Sequence, residues 1–161
     1  MKKIISLLVL SLMLIGCGGN ETSSQEEKAK GFAFEVNGTA IYMNEDTSLF
    51  LEDLGDEIEY FEAKSCAFDG LDKTYTYAGF QLKTYPQDDH DYVSSIILTD
   101  DTVTTPEGIS IGNEQSQVVE KYGQNYKDNG NAYVYTKEDS QLEFLFEDGY
   151  VSSITYKAIT D

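Results

Sequence analysis

The spacing of hydrophobic positions changes twice along this chain, and each change marks a boundary. Ile4 to Ile15 is a 12-residue apolar stretch interrupted only by Ser6 and Ser11, preceded by Lys2 and Lys3 and followed by Gly16-Cys17. Such a run is too short to span about 30 Å of hydrocarbon. Gly18 to Lys30, GGNETSSQEEKAK, is polar and has no period, which predicts a flexible tether. From Gly31 onward apolar and polar residues alternate. Phe32, Phe34 and Val36 fall at every second position, Asn37-Gly38 supplies a turn, and Thr39 to Met43 returns, predicting a hairpin.

The same alternation recurs to the C-terminus, interrupted twice by a helical pattern. Ile109 and Ile111 predict a short strand, and Asn113 is placed to cap a helix. Val118, Val119 and Tyr122 give that helix its apolar face, and Gly123 suits its end. Strands are predicted at Tyr133 to Thr136, Gln141 to Phe146 and Tyr150 to Tyr156, divided by turns at Lys137 to Ser140 and at Asp148-Gly149. Earlier in the chain a helix is predicted near Asp46 to Leu54, closed by Gly55. Strands follow around Tyr60 to Phe68, Tyr75 to Tyr77, Phe80 to Tyr85 and Tyr92 to Thr99. Short loops imply antiparallel pairing.

An internal repeat organises these elements. Tyr92-Val93-Ser94-Ser95-Ile96 recurs letter for letter as Tyr150-Val151-Ser152-Ser153-Ile154, a shift of 58. Tyr75-x-Tyr77 recurs as Tyr133-x-Tyr135 at the same shift, and Leu54-Gly55 corresponds to Tyr122-Gly123 at a shift of 68. The first copy thus carries about ten more residues between its helix and its Tyr-x-Tyr strand. The expected architecture is α+β: two tandem repeats, residues 31–104 and 105–161, forming one antiparallel sheet with helices on one face.

The tandem layout, with Gly108-Ile109-Ser110-Ile111-Gly112 running into a capped helix that ends Tyr122-Gly123, resembles the beta-lactamase-inhibitor-protein-like fold. Ser65-Cys66-Ala67-Phe68-Asp69-Gly70, Tyr75-Thr76-Tyr77 and Thr105-Pro106-Glu107-Gly108-Ile109 are also similar to uncharacterised lipoproteins of Gram-positive, clostridium-like bacteria. The resemblance implies a sheet that grips another protein. The chain departs from the inhibitor family in having one predicted helix per repeat and no disulfide framework, so it implies the sheet architecture and not inhibition of a beta-lactamase.

Composition narrows the function. Leu14-Ile15-Gly16-Cys17 resembles a lipobox, which implies cleavage of residues 1–16 and lipidation of Cys17 at the head of the tether, residues 17–30. An ordinary cleaved signal or an N-terminal core helix is the weaker reading. Two acyl chains suffice for stable anchoring, so the expected address is the cell membrane, lipid-anchored and facing outside the cytoplasm. Removing Lys2 and Lys3 takes the formal charge from −18 to −20, and the chain has no Arg. That balance excludes nucleic acid, whose phosphates need clustered cations, and excludes a polybasic grip on anionic lipid.

Catalytic patterns are sparse. Gly108-x-Ser110-x-Gly112 matches a nucleophile elbow, but Ser110 stands between two isoleucines in a predicted strand, and His90 precedes it, the reverse of hydrolase order. Asp88-Asp89-His90-Asp91 reads as a solvated turn before a calcium-like site, because its carboxylates lack the alternate spacing and the glycine of a calcium loop. Cys66, the thiol that remains beside a lipidated Cys17, reads as a small buried hydrophobe and not as a reactive thiol. No cofactor fingerprint occurs. The 12 tyrosines are the remaining signal. Tyr75, Tyr77, Tyr133 and Tyr135 share one sheet face; they either pack beneath the helices or form an exposed platform for a protein partner in the envelope or the secreted fraction. The leading expectation is a non-enzymatic protein- or peptide-binding adaptor. The alternative is a small-ligand or divalent-cation-binding envelope lipoprotein.

Overall fold

The computed structural model describes residues 30–160. The predicted signal, Cys17 and all but the last residue of the tether lie outside the described residues. What is described is mostly antiparallel sheet with one α-helix, an α+β arrangement.

The chain opens with the predicted hairpin, β1 (Ala33–Val36) and β2 (Thr39–Tyr42), which forms a two-stranded sheet of its own. Asn37 and Gly38 both adopt positive φ, 52° and 83°, as a two-residue hairpin turn requires. The remaining strands are β3 (Glu59–Lys64), β4 (Leu71–Tyr77), β5 (Phe80–Gln87), β6 (His90–Leu98), β7 (Lys127–Asp128), β8 (Ala132–Lys137), β9 (Ser140–Glu147) and β10 (Tyr150–Ala158). They form one eight-stranded sheet in the order β3-β4-β5-β6-β10-β9-β8-β7, every neighbouring pair antiparallel. β6 and β10 meet at the centre through Ile154–Leu98, Thr155–Ile97, Tyr156–Ile96 and Lys157–Ser95.

The two identical pentapeptides occupy matching places on these central strands. Ser94 is skipped in the pairing of β6 with β5, and Ser152 is skipped in the pairing of β10 with β9. Each serine is the extra residue of a bulge, which bends its strand locally. The start of each central strand then pairs with a loop. Asn44 N–H donates to Val93 O and Val93 N–H to Glu45 O; Gly112 N–H donates to Val151 O and Val151 N–H to Asn113 O.

One sheet face is covered. Phe34 from the hairpin sits 4.9 Å from Phe80 and 5.8 Å from Tyr156, ring centre to ring centre. Ile41, Phe50, Leu54, Ile109 and Val118 join the same core against Leu82, Ile96, Phe144 and Ile154. The single α-helix among the described residues, α1 (Gln115–Tyr122), places Tyr122 5.0 Å from Phe144.

Several boundaries differ from the sequence reading. The helix expected near Asp46 to Leu54 is two 3-10 helices, Thr47–Leu49 and Leu51–Leu54. Phe50 leaves helical space (φ −144°) and buries its ring, so core packing outranks a continuous hydrogen-bond ladder. Ile109 and Ile111 form no strand. Gly108 and Gly112 turn the chain on either side, and Ile109 N–H instead donates to Thr105 Oγ1. α1 is capped by Glu114 and not Asn113, through a capping box with Gln117; Asn113 Oδ1 accepts from Ser110 N–H at 2.7 Å. β3 ends at Lys64, short of Cys66.

Because Phe34 fastens a sheet that shares no strand pairing with the large one, Phe34→Ala is expected to cost about 3–5 kcal/mol in urea unfolding. Leu49→Ala, at an exposed position, should stay within about 0.5 kcal/mol of the parent.

Candidate functional site: the uncovered face of the sheet

The repeated tyrosines are core residues. Register puts Tyr75 opposite Leu82, Tyr77 opposite Phe80, Tyr133 opposite Phe144 and Tyr135 opposite Leu142, all on the covered face. Tyr75, Tyr77 and Tyr135 are buried, and Tyr133 is half-buried between Tyr126 and Phe146. Of the two readings of these tyrosines, their positions fit packing beneath the covering elements and not an exposed platform. The same spacing that aligned the four rings also aligned them with the apolar residues of β5 and β9. Tyr135 shows what they do. Its ring lies 5.3 Å from Tyr122, and its hydroxyl donates to Gly123 O at 2.8 Å, so it satisfies a carbonyl at the end of α1. Burial pushes the Tyr135 hydroxyl up to about 12, and it pushes those of Tyr75, Tyr77, Tyr122 and Tyr156 upward as well.

The opposite face carries no helix and no hairpin among the described residues. Strand registers lay two rows of side chains across it. One runs Glu59, Thr76, Gln81, Ile97, Thr155, Glu143 and Val134; the other runs Phe61, Thr74, Lys83, Ser95, Lys157, Gln141 and Thr136. In a chain of 29 acidic residues, the middle of this face is neutral to basic. Lys157 Nζ is bonded to Glu143 Oε1 at 2.8 Å, and Lys83 stands in the adjoining strand pair. Hydroxyls and amides from Thr, Ser and Gln offer both donors and acceptors between the cations.

Near the bulge at Ser94 the face dips into an open depression of about 240 Å³. Phe68, from the loop after β3, stacks on Tyr85 at 4.8 Å and forms one wall. Lys83, Thr74, Ser94 and Asp72 contribute the polar lining on this face. Lys73 Nζ is held by Asp91 Oδ2 at 2.6 Å, and Tyr85 donates to Asn44 Oδ1 at 3.0 Å. An aromatic wall beside hydroxyl, ammonium and carboxylate groups suits hydrogen bonding to a polar ligand.

Other residues noted in the sequence have structural places. Cys66 is exposed in the loop beside this depression, which corrects its reading as a buried hydrophobe: β3 ends before it and the loop turns its side chain outward. Asp88 and Asp89, both at positive φ, are the turn between β5 and β6. His90 Nδ1 lies 2.7 Å from Asp46 Oδ2, and Ser48 N–H donation together with His90 holds the Asp46 carboxyl below the usual carboxylate range. Asp88 to Asp91 therefore belong to a turn and two cross-element pairs. No group of three metal-ligating side chains occurs among the described residues, nor a helix long and apolar enough to cross a membrane. Ser110 Oγ lies 3.3 Å from Asn113 Oδ1 in the turn before α1.

The chain matches no family profile, and it matches neither a curated protein nor a solved structure. Fold and site alone therefore define its class, a largely antiparallel α+β protein with one open sheet face.

Tyrosines in the unfolded chain ionise near pH 10, and the buried ones here ionise higher. Between about pH 10 and 12 the unfolded chain therefore holds fewer protons than the folded one. This contribution to stability is complete below about pH 10 and is lost as pH rises through that window. Alkaline titration should show buried tyrosines ionising together with loss of circular dichroism; independent ionisation near pH 10 in an intact fold would show that the rings are solvated.

Proposed function

We propose that the chain is a membrane-anchored, extracytoplasmic lipoprotein that acts without catalysis, as an adaptor binding a protein or peptide. The observation that supports this reading is the uncovered sheet face: a broad surface of hydroxyl, amide, ammonium and carboxylate groups spread over eight strands. We further infer that the domain is a tandem duplication built as in the beta-lactamase-inhibitor-protein-like fold. The mirrored strand order, the bulges at Ser94 and Ser152 and the matching bonds to Val93 and Val151 support this. Each copy contributes four strands, and their union makes a face wider than either copy supplies.

The anchor and the face are tested separately. Cys17→Ser is expected to move the chain from the membrane fraction to the soluble fraction or to leave it as uncleaved precursor, and mass spectrometry of the parent should find acyl chains on Cys17. For the face, the immobilised chain is exposed to the envelope and secreted proteins of its host. A near-stoichiometric partner retained by the parent and lost at least tenfold with Lys83→Glu plus Lys157→Glu supports the adaptor. A partner held equally by both, with the variant's melting temperature unchanged, removes the open face from the reading.

A further inference from the structure

The two ends of the sheet are built differently. β7 is an edge of two residues, both charged, the kind of short edge that resists pairing with another chain. β3, at the other edge, is six residues long and exposed throughout. Tyr60 and Phe61 are 42% and 62% exposed, and Ile58, just before the strand, is 73% exposed. The difference has a source in the chain. Gly55 to Tyr75 spans 20 positions, whereas Gly123 to Tyr133 spans 10, and the extra length forms β3 with the loop that returns to β4.

Pairing rules fix which backbone groups of β3 are free. Tyr77 and Phe80 flank a two-residue turn, so they form a hydrogen-bonded pair, and so do Tyr75 and Leu82. Thr74 and Thr76 accordingly aim their N–H and C=O groups at Phe61 and Glu59. The bond from Ser65 N–H to Gly70 O, at 3.0 Å, continues that phase. Tyr60, Glu62 and Lys64 are left with backbone groups directed outward.

We propose that β3 pairs antiparallel with β3 of a second copy of this chain, about a twofold axis through Phe61. Phe61 then lies opposite Phe61 in a non-hydrogen-bonded pair, where side chains approach most closely. Tyr60 and Glu62 exchange backbone bonds across the junction. Tyr60, whose hydroxyl already donates to Glu62 within one chain, meets Glu62 of the other copy. Glu59 faces Ala63, and Lys64 reaches past the end of the partner strand toward Ile58, whose own N–H is bonded to Thr76 O, so no like charges are opposed. Centring on Glu62 would oppose two carboxylates, and centring on Tyr60 would set Ile58 against Glu62 and Glu59 against Phe61. The junction joins two eight-stranded sheets edge to edge and leaves both open faces free. With a formal charge of −18 on each chain, association strengthens as salt screens the repulsion.

The test uses the full chain in detergent, with Cys17→Ser and Cys66→Ser so that no other thiol remains. Under mild oxidation Phe61→Cys is expected to form a covalent dimer at least tenfold faster than Leu49→Cys, a control at an exposed site off the strand. Glu59→Cys and Ala63→Cys should each cross-link poorly alone and efficiently when mixed. In sedimentation, association should rise with salt, and Phe61→Lys should weaken it at least tenfold with the melting temperature unchanged. Equal cross-linking of Phe61→Cys and Leu49→Cys, or a chain monomeric to millimolar concentration at high salt, overturns the proposal. Protection of β3 amides by an added extended peptide, with no self-association, would assign the edge to a foreign strand and overturn it too.

Discussion

The pairing of β6 with β10 is the constraint on which the rest of the structure depends. Four residue pairs hold it, and among the described residues they are the only ladder between the strands that precede α1 and those that follow it. Ile96, Leu98, Ile154 and Tyr156 reach the core from this junction and are fully or almost fully buried. Antiparallel strands that long would run on beside each other were they straight. The bulges at Ser94 and Ser152 instead bend each strand away, so that Val93 and Val151 find backbone partners in the loops at Asn44 and Gly112. Those loops lead directly into the 3-10 helices and α1. One irregularity, used twice, thus ends the central ladder and sets the covering elements over one face.

Covering one face only has consequences for the chain's chemistry. The core is rich in aromatic rings, with Phe34, Tyr77, Phe80, Phe144 and Tyr156 meeting at 4.9–6.1 Å or packing against such pairs. Tyrosine brings a hydroxyl into such a layer, and burial keeps that hydroxyl neutral. Tyr135 spends its proton on the end of α1. The acidic residues are excluded from this buried aromatic layer; many lie on loops, turns and edges, and others, such as Asp72, Asp91 and Glu143, stand on interior strands outside it. What the open face retains is a band of hydroxyls and amides with a few ammonium and carboxylate groups among them.

The edges of the sheet follow from the same accounting of backbone groups. Every interior strand has partners on both sides; β3 and β7 do not. β7 limits the exposed ladder by its shortness and its charges. β3 leaves three residues' worth of outward N–H and C=O groups beside exposed Phe61 and Ile58.

Much of this was determined by sequence alone. Alternation and Asn37-Gly38 specified the first hairpin because a two-residue turn with positive φ at both positions is a local demand. The repeated Tyr-Val-Ser-Ser-Ile and Tyr-x-Tyr segments fall on β4, β6, β8 and β10, and the alternation between them placed β3, β5 and β9 as well, since period-two burial is written into consecutive residues. Of the large sheet's strands only β7 was missed. The apolar run before Cys17 specified an expected anchor on the same local grounds. Tertiary structure decided the rest. Whether four aligned tyrosines faced the core or the solvent depended on which face the hairpin and α1 covered, a choice no strand makes by itself. The 3-10 form of Thr47–Leu54 was decided by the ring of Phe50, and the exposure of Cys66 by where β3 stopped pairing with β4. The open face itself is a product of register across eight strands, and register is a relation between residues far apart in the chain.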